Sequence, residues 1–221
     1  MTKTGLLPDE WLVSYASGAL SEAQALVVAS HVDYHEELKA KVADAEAIGG
    51  CLLEGIVPER LSEDALERTL AALAVLDDAA EALVEPVGSS VADIRMPAPL
   101  AAHLNMGLDE LKWRFMGPGM RQVKLQAYEN GERLWLLRAR GGTEMPFHDH
   151  RGTEFTLVLT GSYRVGDKHY TPGLIELAGP EVTNHQPIID EGEDCICLVV
   201  TDAPIKLHSL IGRMFQPFIG L

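Results

Sequence analysis

Three cysteines in 221 residues, Cys51, Cys195 and Cys197, are an odd and sparse set. They exclude a disulfide framework and point to a reducing compartment. No stretch of about 18 apolar residues is present, so no segment reads as a membrane-spanning helix. The opening segment, MTKTGLLP, has no secretory hydrophobic region, and a cytoplasmic location is expected. Basic residues are also scarce. Lys and Arg number 18 against 33 Asp and Glu, a formal net charge of −15. Phosphate repulsion disfavours direct binding to nucleic acid. What remains is a globular composition, 47% hydrophobic and 23% charged, with enough length to bury a substantial core.

The acidity is concentrated at one end. Residues 1–96 hold 6 basic and 18 acidic side chains, net −12; residues 97–221 hold 12 and 15, net −3. An acidic helical surface suits a basic protein partner, or serves solubility alone; the charge by itself leaves both open.

Periodicity changes along the chain. Pro8, Asp9 and Glu10 open a helix that Gly18 closes. Ser21 and Gln24 form a capping-box pattern ahead of the apolar run 25–29. A third helix starts around Asp33–Glu36, and the Gly49–Gly50 pair is expected to end or break it. Ser62, Glu63 and Asp64 cap a fourth, whose stripe of Leu66, Leu70, Leu73, Leu76, Ala80 and Leu83 is a packing face. Three prolines and a Gly-Ser-Ser triplet then mark a linker. Beyond it, short β-branched and apolar runs at 121–127, 133–138, 154–160, 174–178 and 195–201 alternate with turn residues, including Asn130-Gly131. The reading is a multidomain α + β chain. Residues 1–85 form a bundle of about four helices, 86–99 a linker, and 100–221 an all-β barrel or sandwich.

The chemistry concentrates in GTEMPFHDHRGTEFTLVLTG, residues 142–161. His148, His150 and Glu154 share parity, so an extended chain turns all three toward one side of a barrel wall. Such N and O donors make most of a divalent-metal site, and His185 is the candidate fourth ligand. The spacing G-x5-H-x-H-x3-E-x6-G resembles the first motif of the cupin superfamily at every defined position. Gly166, Pro172, Gly173 and His185 resemble the second, with Ile189 where an asparagine is usual. Cys195 and Cys197, interleaved with Ile196, Leu198 and Val199, read as small apolar core residues. His169 and His208 lack a partner pattern, and Trp11, Trp113 and Trp135 read as core.

An acidic helical module joined to a single cupin resembles the ChrR family of anti-sigma factors over essentially the whole chain. The resemblance rests on LVSYASGALSEA (12–23), LVVASH (26–31), the cupin stretch 148–161, DCICL (194–198), TDAP (201–204) and QPF (216–218). It implies an N-terminal domain that holds a group IV (extracytoplasmic-function) sigma factor inactive. It also implies a cupin needed for release by an oxidative signal such as singlet oxygen, with zinc in both domains. The family's helical zinc site is an early histidine followed by H-x3-C-x2-C. Here Leu6 stands at the early histidine, His31 remains, His35 replaces the first cysteine and Leu38 the second. Leucine cannot ligate zinc, but its burial can fill the same volume, so the N-terminal zinc site is expected to be lost. The cupin metal is expected to be zinc, with Fe, Mn or Ni chemically admissible at the same donors. The alternative is a cupin metalloenzyme, a mononuclear dioxygenase with a helical interaction domain; a third reading is a small-molecule-binding cupin without turnover.

Overall fold

The structure, a computed structural model, describes residues 5–81 and 93–208. Leu83 of the helical stripe, residues 86–92 of the expected linker and the QPF segment lie outside the described residues, as do the side chains of Leu76 and Ala80.

The helical half contains α1 (Asp9–Ala16), α2 (Glu22–Asp33), α3 (Glu36–Glu54) and α4 (Ala65–Glu81), and α5 (Ala98–Leu104) follows. Pro8 sits extended at the N-cap of α1, and Asp9 and Glu10 occupy its positively polarised first turn. Ser21 caps α2 by accepting the Gln24 N–H at 3.2 Å. The expected end of the third helix at Gly49–Gly50 is corrected: α3 runs through both glycines to Glu54. Neither adopts a positive φ, so each is an ordinary helical residue costing about 1 kcal/mol relative to Ala.

Eleven strands follow among the described residues: β1 (Arg114–Gly117), β2 (Met120–Ala127), β3 (Arg133–Ala139), β4 (His148–Asp149), β5 (Glu154–Thr160), β6 (Tyr163–Val165), β7 (Lys168–Tyr170), β8 (Ile175–Ala178), β9 (Ile188–Ile189), β10 (Cys195–Thr201) and β11 (Lys206–Leu207). They form a six-stranded sheet in the order β1-β2-β3-β10-β5-β8, a three-stranded sheet β7-β6-β9 and the pair β11-β4. Every pairing is antiparallel. Gly131 turns the β2–β3 hairpin at φ +90°, a conformation that costs glycine little.

The large sheet is covered on both faces. This is why β3, β5 and β10 read as continuous apolar runs rather than clean alternations. On one face Leu134, Leu136, Phe155, Leu157, Leu198 and Val200 pack with Leu7, Leu12, Val27, Val28 and Leu38 of the helical half in one core. Trp11 stands edge-on to Phe155, ring centres 4.7 Å apart. On the other face Trp135, Leu137, Val158, Cys197 and Val199 meet Tyr163, Tyr170 and Ile189 of the small sheet. Residues 93–99, inside the expected linker, are pinned. Arg95 bridges Asp93 and Asp109, Met96 is buried, and the Ala98 N–H donates to Asp33 at 2.9 Å.

Candidate metal centre

His148 opens β4 and His150 follows two residues later, so both rings project to one side, and both are buried. The loop after β8 brings His185 opposite. The His148 N–H donates to the His185 carbonyl at 3.1 Å, and the reciprocal bond measures 2.9 Å. This isolated bridge sets the His148 and His185 rings edge-on to each other, centres 4.8 Å apart. His148 Nε2 lies 3.0 Å from His185 Nδ1, and His150 Nε2 lies 3.1 Å from the same atom. The three ligand atoms fall within 4.8 Å of one another.

The remaining hydrogen bonds fix which nitrogens carry lone pairs. His148 Nδ1–H donates to the Pro146 carbonyl at 2.9 Å, leaving Nε2 as an acceptor. His185 Nε2–H donates to Glu176 Oε1 at 3.3 Å, leaving Nδ1 as an acceptor. Tyr163 O–H donates to the other Glu176 oxygen at 2.9 Å, holding that carboxylate still. Metal-binding histidines are oriented in this way, the far N–H anchored on a carbonyl or carboxylate.

Electrostatics fit the same use. Burial lowers His148 and His150 to about 4, so both imidazoles are neutral, as ligands must be, at ordinary pH. Desolvation pushes the Glu154 carboxyl up to about 7 against the opposing pull of His185, with Glu176 adding to the rise. Two carboxyl groups beside three convergent imidazoles are a donor set that suits a divalent cation. Three of the four residues expected from the sequence therefore meet directly. Glu154 lines the same cavity and accepts the Thr156 hydroxyl at 3.2 Å, outside the tight histidine group. The cavity has a volume of about 900 Å³, with Met116, Met120, Trp135 and Val199 among its apolar walls and His148, His185 and Glu176 among its polar ones.

Sequence reasoning missed Glu176. Its signal was available: a lone carboxylate, buried here, inside the apolar strand run 174–178. Cys195 and Cys197 are buried core residues, as expected, and also line the cavity. His169 and His208 both have partners, Asp190 and Asp149, each at 2.7 Å. His31 and His35 lie away from the barrel centre. His31 Nδ1–H and His35 Nε2–H both donate to the Gly173 carbonyl, at 2.9 and 2.8 Å.

Residues 102–204 match the family described as the ChrR cupin-like domain. The chain is 39% identical over 222 residues to the anti-sigma-E factor ChrR of Cereibacter sphaeroides, covering the full length of both. Its structure is similar to that of ChrR in the crystal structure of Rhodobacter sphaeroides SigE in complex with the anti-sigma ChrR. There the TM-score is 0.74 and the identity 37%, over 88% of this chain and 97% of that one. Because the match runs through the helical half as well as the barrel, the chain belongs to the ChrR family of anti-sigma factors.

Proposed function

We propose that this protein sequesters a group IV, extracytoplasmic-function sigma factor through its N-terminal helical domain, residues 1–85. In this reading the metal-binding cupin domain, residues 100–221, is needed for the response to an oxidative signal such as singlet oxygen. The observation that carries the reading is an apolar surface with no partner among the described residues. Ile48, Leu52, Leu53, Ile56, Val57, Leu61, Leu66, Leu70 and Leu73 are each at least half exposed. They run from the second half of α3 along α4, within a segment of net charge −12. So many exposed apolar side chains, interspersed along the chain with acids, mark a protein-binding segment. Acids steer a basic partner toward it, and the leucines supply the desolvated contacts that slow dissociation.

The metal centre is assigned to His148, His150, Glu154 and His185, with zinc as the resident ion. Zinc does not change oxidation state, so in this centre it holds the ligands together and polarises what they face. His31 and His35 are not assigned a metal. His31 Nε2 accepts the Leu7 N–H at 3.3 Å and the opposite nitrogen donates to Gly173, so neither ring nitrogen is free to ligate. Leu38, at the second cysteine position, is fully packed in the core.

The test is complex formation between the full chain and an extracytoplasmic-function sigma factor of the same organism. The expected result is a tight complex that withholds the sigma factor from core RNA polymerase. A Leu52→Asp/Leu70→Asp variant should weaken it at least ~100-fold, and rising salt should weaken it in the wild type. No complex at micromolar concentration would refute the proposal.

A further inference from the structure

Strand β8 is four residues long, and both halves of the molecule hold it. At its entrance the Gly173 carbonyl accepts two hydrogen bonds, from His31 at the end of α2 and from His35, the N-cap of α3. The Ile175 N–H donates to the Gly5 carbonyl at 2.9 Å, strapping the N-terminal segment to the same strand. Leu7 in that segment donates to His31, which closes the loop of contacts. Gly173 lies directly beneath Tyr34: a Cβ built there would stand 3.0–3.1 Å from Tyr34 Cγ, Cβ and Cδ1, at a backbone φ of +86°. Three residues further on, Glu176 points into the barrel and holds His185 and Tyr163. Three residues of extended chain span only ~10 Å.

The position of β8 in the sheet gives it freedom that its neighbours lack. It is the edge strand of the six-stranded sheet and, among the described residues, β5 is its only strand partner, whereas β10 is held on both sides. A small displacement of β8 strains one ladder, while the same displacement of β10 would strain two.

We propose that β8 is the mechanical link through which occupancy of the barrel's metal centre reaches the helical half. Glu176 is the positioning residue at the metal end, and Gly173, gripped by His31 and His35, is the positioning residue at the helical end. The link deepens the anti-sigma reading and rests on it for its purpose, but its physical content is a coupling between two sites of this chain. Such coupling is reciprocal. If metal binding tightens the grip on Gly173, loosening the grip must weaken metal binding by the same factor, and factors of about 5 to 150 are typical of coupled sites.

The experiment uses the full chain alone, without a sigma factor, and zinc as the probe. Zinc affinity is measured by chelator competition, and hydrogen exchange is followed at the Leu7 and Ile175 amides. Zinc should slow exchange at both amides. His35→Ala and Gly173→Ala, which touch no metal ligand, should each weaken zinc binding at least ~5-fold, and His35→Gln, which keeps a side-chain N–H, should restore most of it. In a Glu176→Leu background, or Glu176→Gln if the former does not fold, His35→Ala should change zinc affinity less than ~2-fold. The link is overturned if His35→Ala opens the Leu7 and Ile175 amides yet leaves zinc affinity unchanged, or if its effect is the same size with and without Glu176. Failure to bind zinc overturns the metal centre and the link together. A sigma factor that does not bind overturns only the functional reading, because no partner enters these measurements.

Discussion

His148 Nε2 and His185 Nδ1 face each other at 3.0 Å although each ring donates its N–H elsewhere, to Pro146 and to Glu176. Two lone pairs at that distance repel unless a cation lies between them. The wild-type protein should therefore purify with about one equivalent of metal, and a His148→Ala/His150→Ala variant with essentially none. Elemental analysis of both, prepared side by side, decides the matter; equal content would refute the assignment.

Glu154→Gln should weaken metal binding less than loss of either imidazole, because the amide keeps a neutral oxygen donor. Glu176→Gln should lower affinity by about 10- to 100-fold without removing a ligand, since it loosens the orientation of His185. Chelator competition on purified variants separates the two effects.

His31 gives the fold a defined acid sensitivity. Burial, with His35 beside it, holds its pKa down to about 4, against an ordinary value near 6.5. Its unfolded form thus takes up a proton that the folded form refuses. The contribution is fully present above about pH 6.5, falls as pH drops toward 4, and amounts to about 3 kcal/mol. Urea midpoints across that window, compared between the chelated wild type and a chelated His31→Gln variant, should diverge as the pH rises.

Chelation should leave the helices intact. The His31 and His35 donors rest on a backbone carbonyl, and the leucines at the other two family ligand positions add apolar volume. A large loss of helical circular dichroism on chelator treatment would show a metal staple in this half.

The helices and the barrel should unfold as one unit, because Leu12, Val27 and Val28 share a core with Leu136, Phe155 and Leu198. Leu12→Ala should cost about 2–5 kcal/mol and shift the helical and tryptophan signals together. Separate transitions would show that the halves are energetically independent.

The parity of His148 and His150 was enough to place them on one wall of the barrel, because strand alternation is a local rule. Ser21 announced its cap for the same reason. The long strands were legible as apolar runs, while β4, β9 and β11, two residues each, carry no periodicity to read. Gly49–Gly50 misled because local propensity is weak: a helix already nucleated around Leu38 and Val42 propagates through two glycines at modest cost. Glu176 was hidden by distance along the chain, since its role exists only where β8 meets the loop bearing His185. The grip of His31 and His35 on Gly173 is likewise a contact across 138 to 142 residues, written in no local pattern.

The bare leucine face of α3 and α4 also governs how the free protein behaves as a colloid. At neutral pH a surplus of 15 negative charges keeps two such faces apart. Near the isoelectric point of about 4.8 that barrier vanishes, and unpartnered molecules will coalesce through the stripe. Light scattering should show aggregation there that a bound partner suppresses, so the regulator is most soluble when it is occupied.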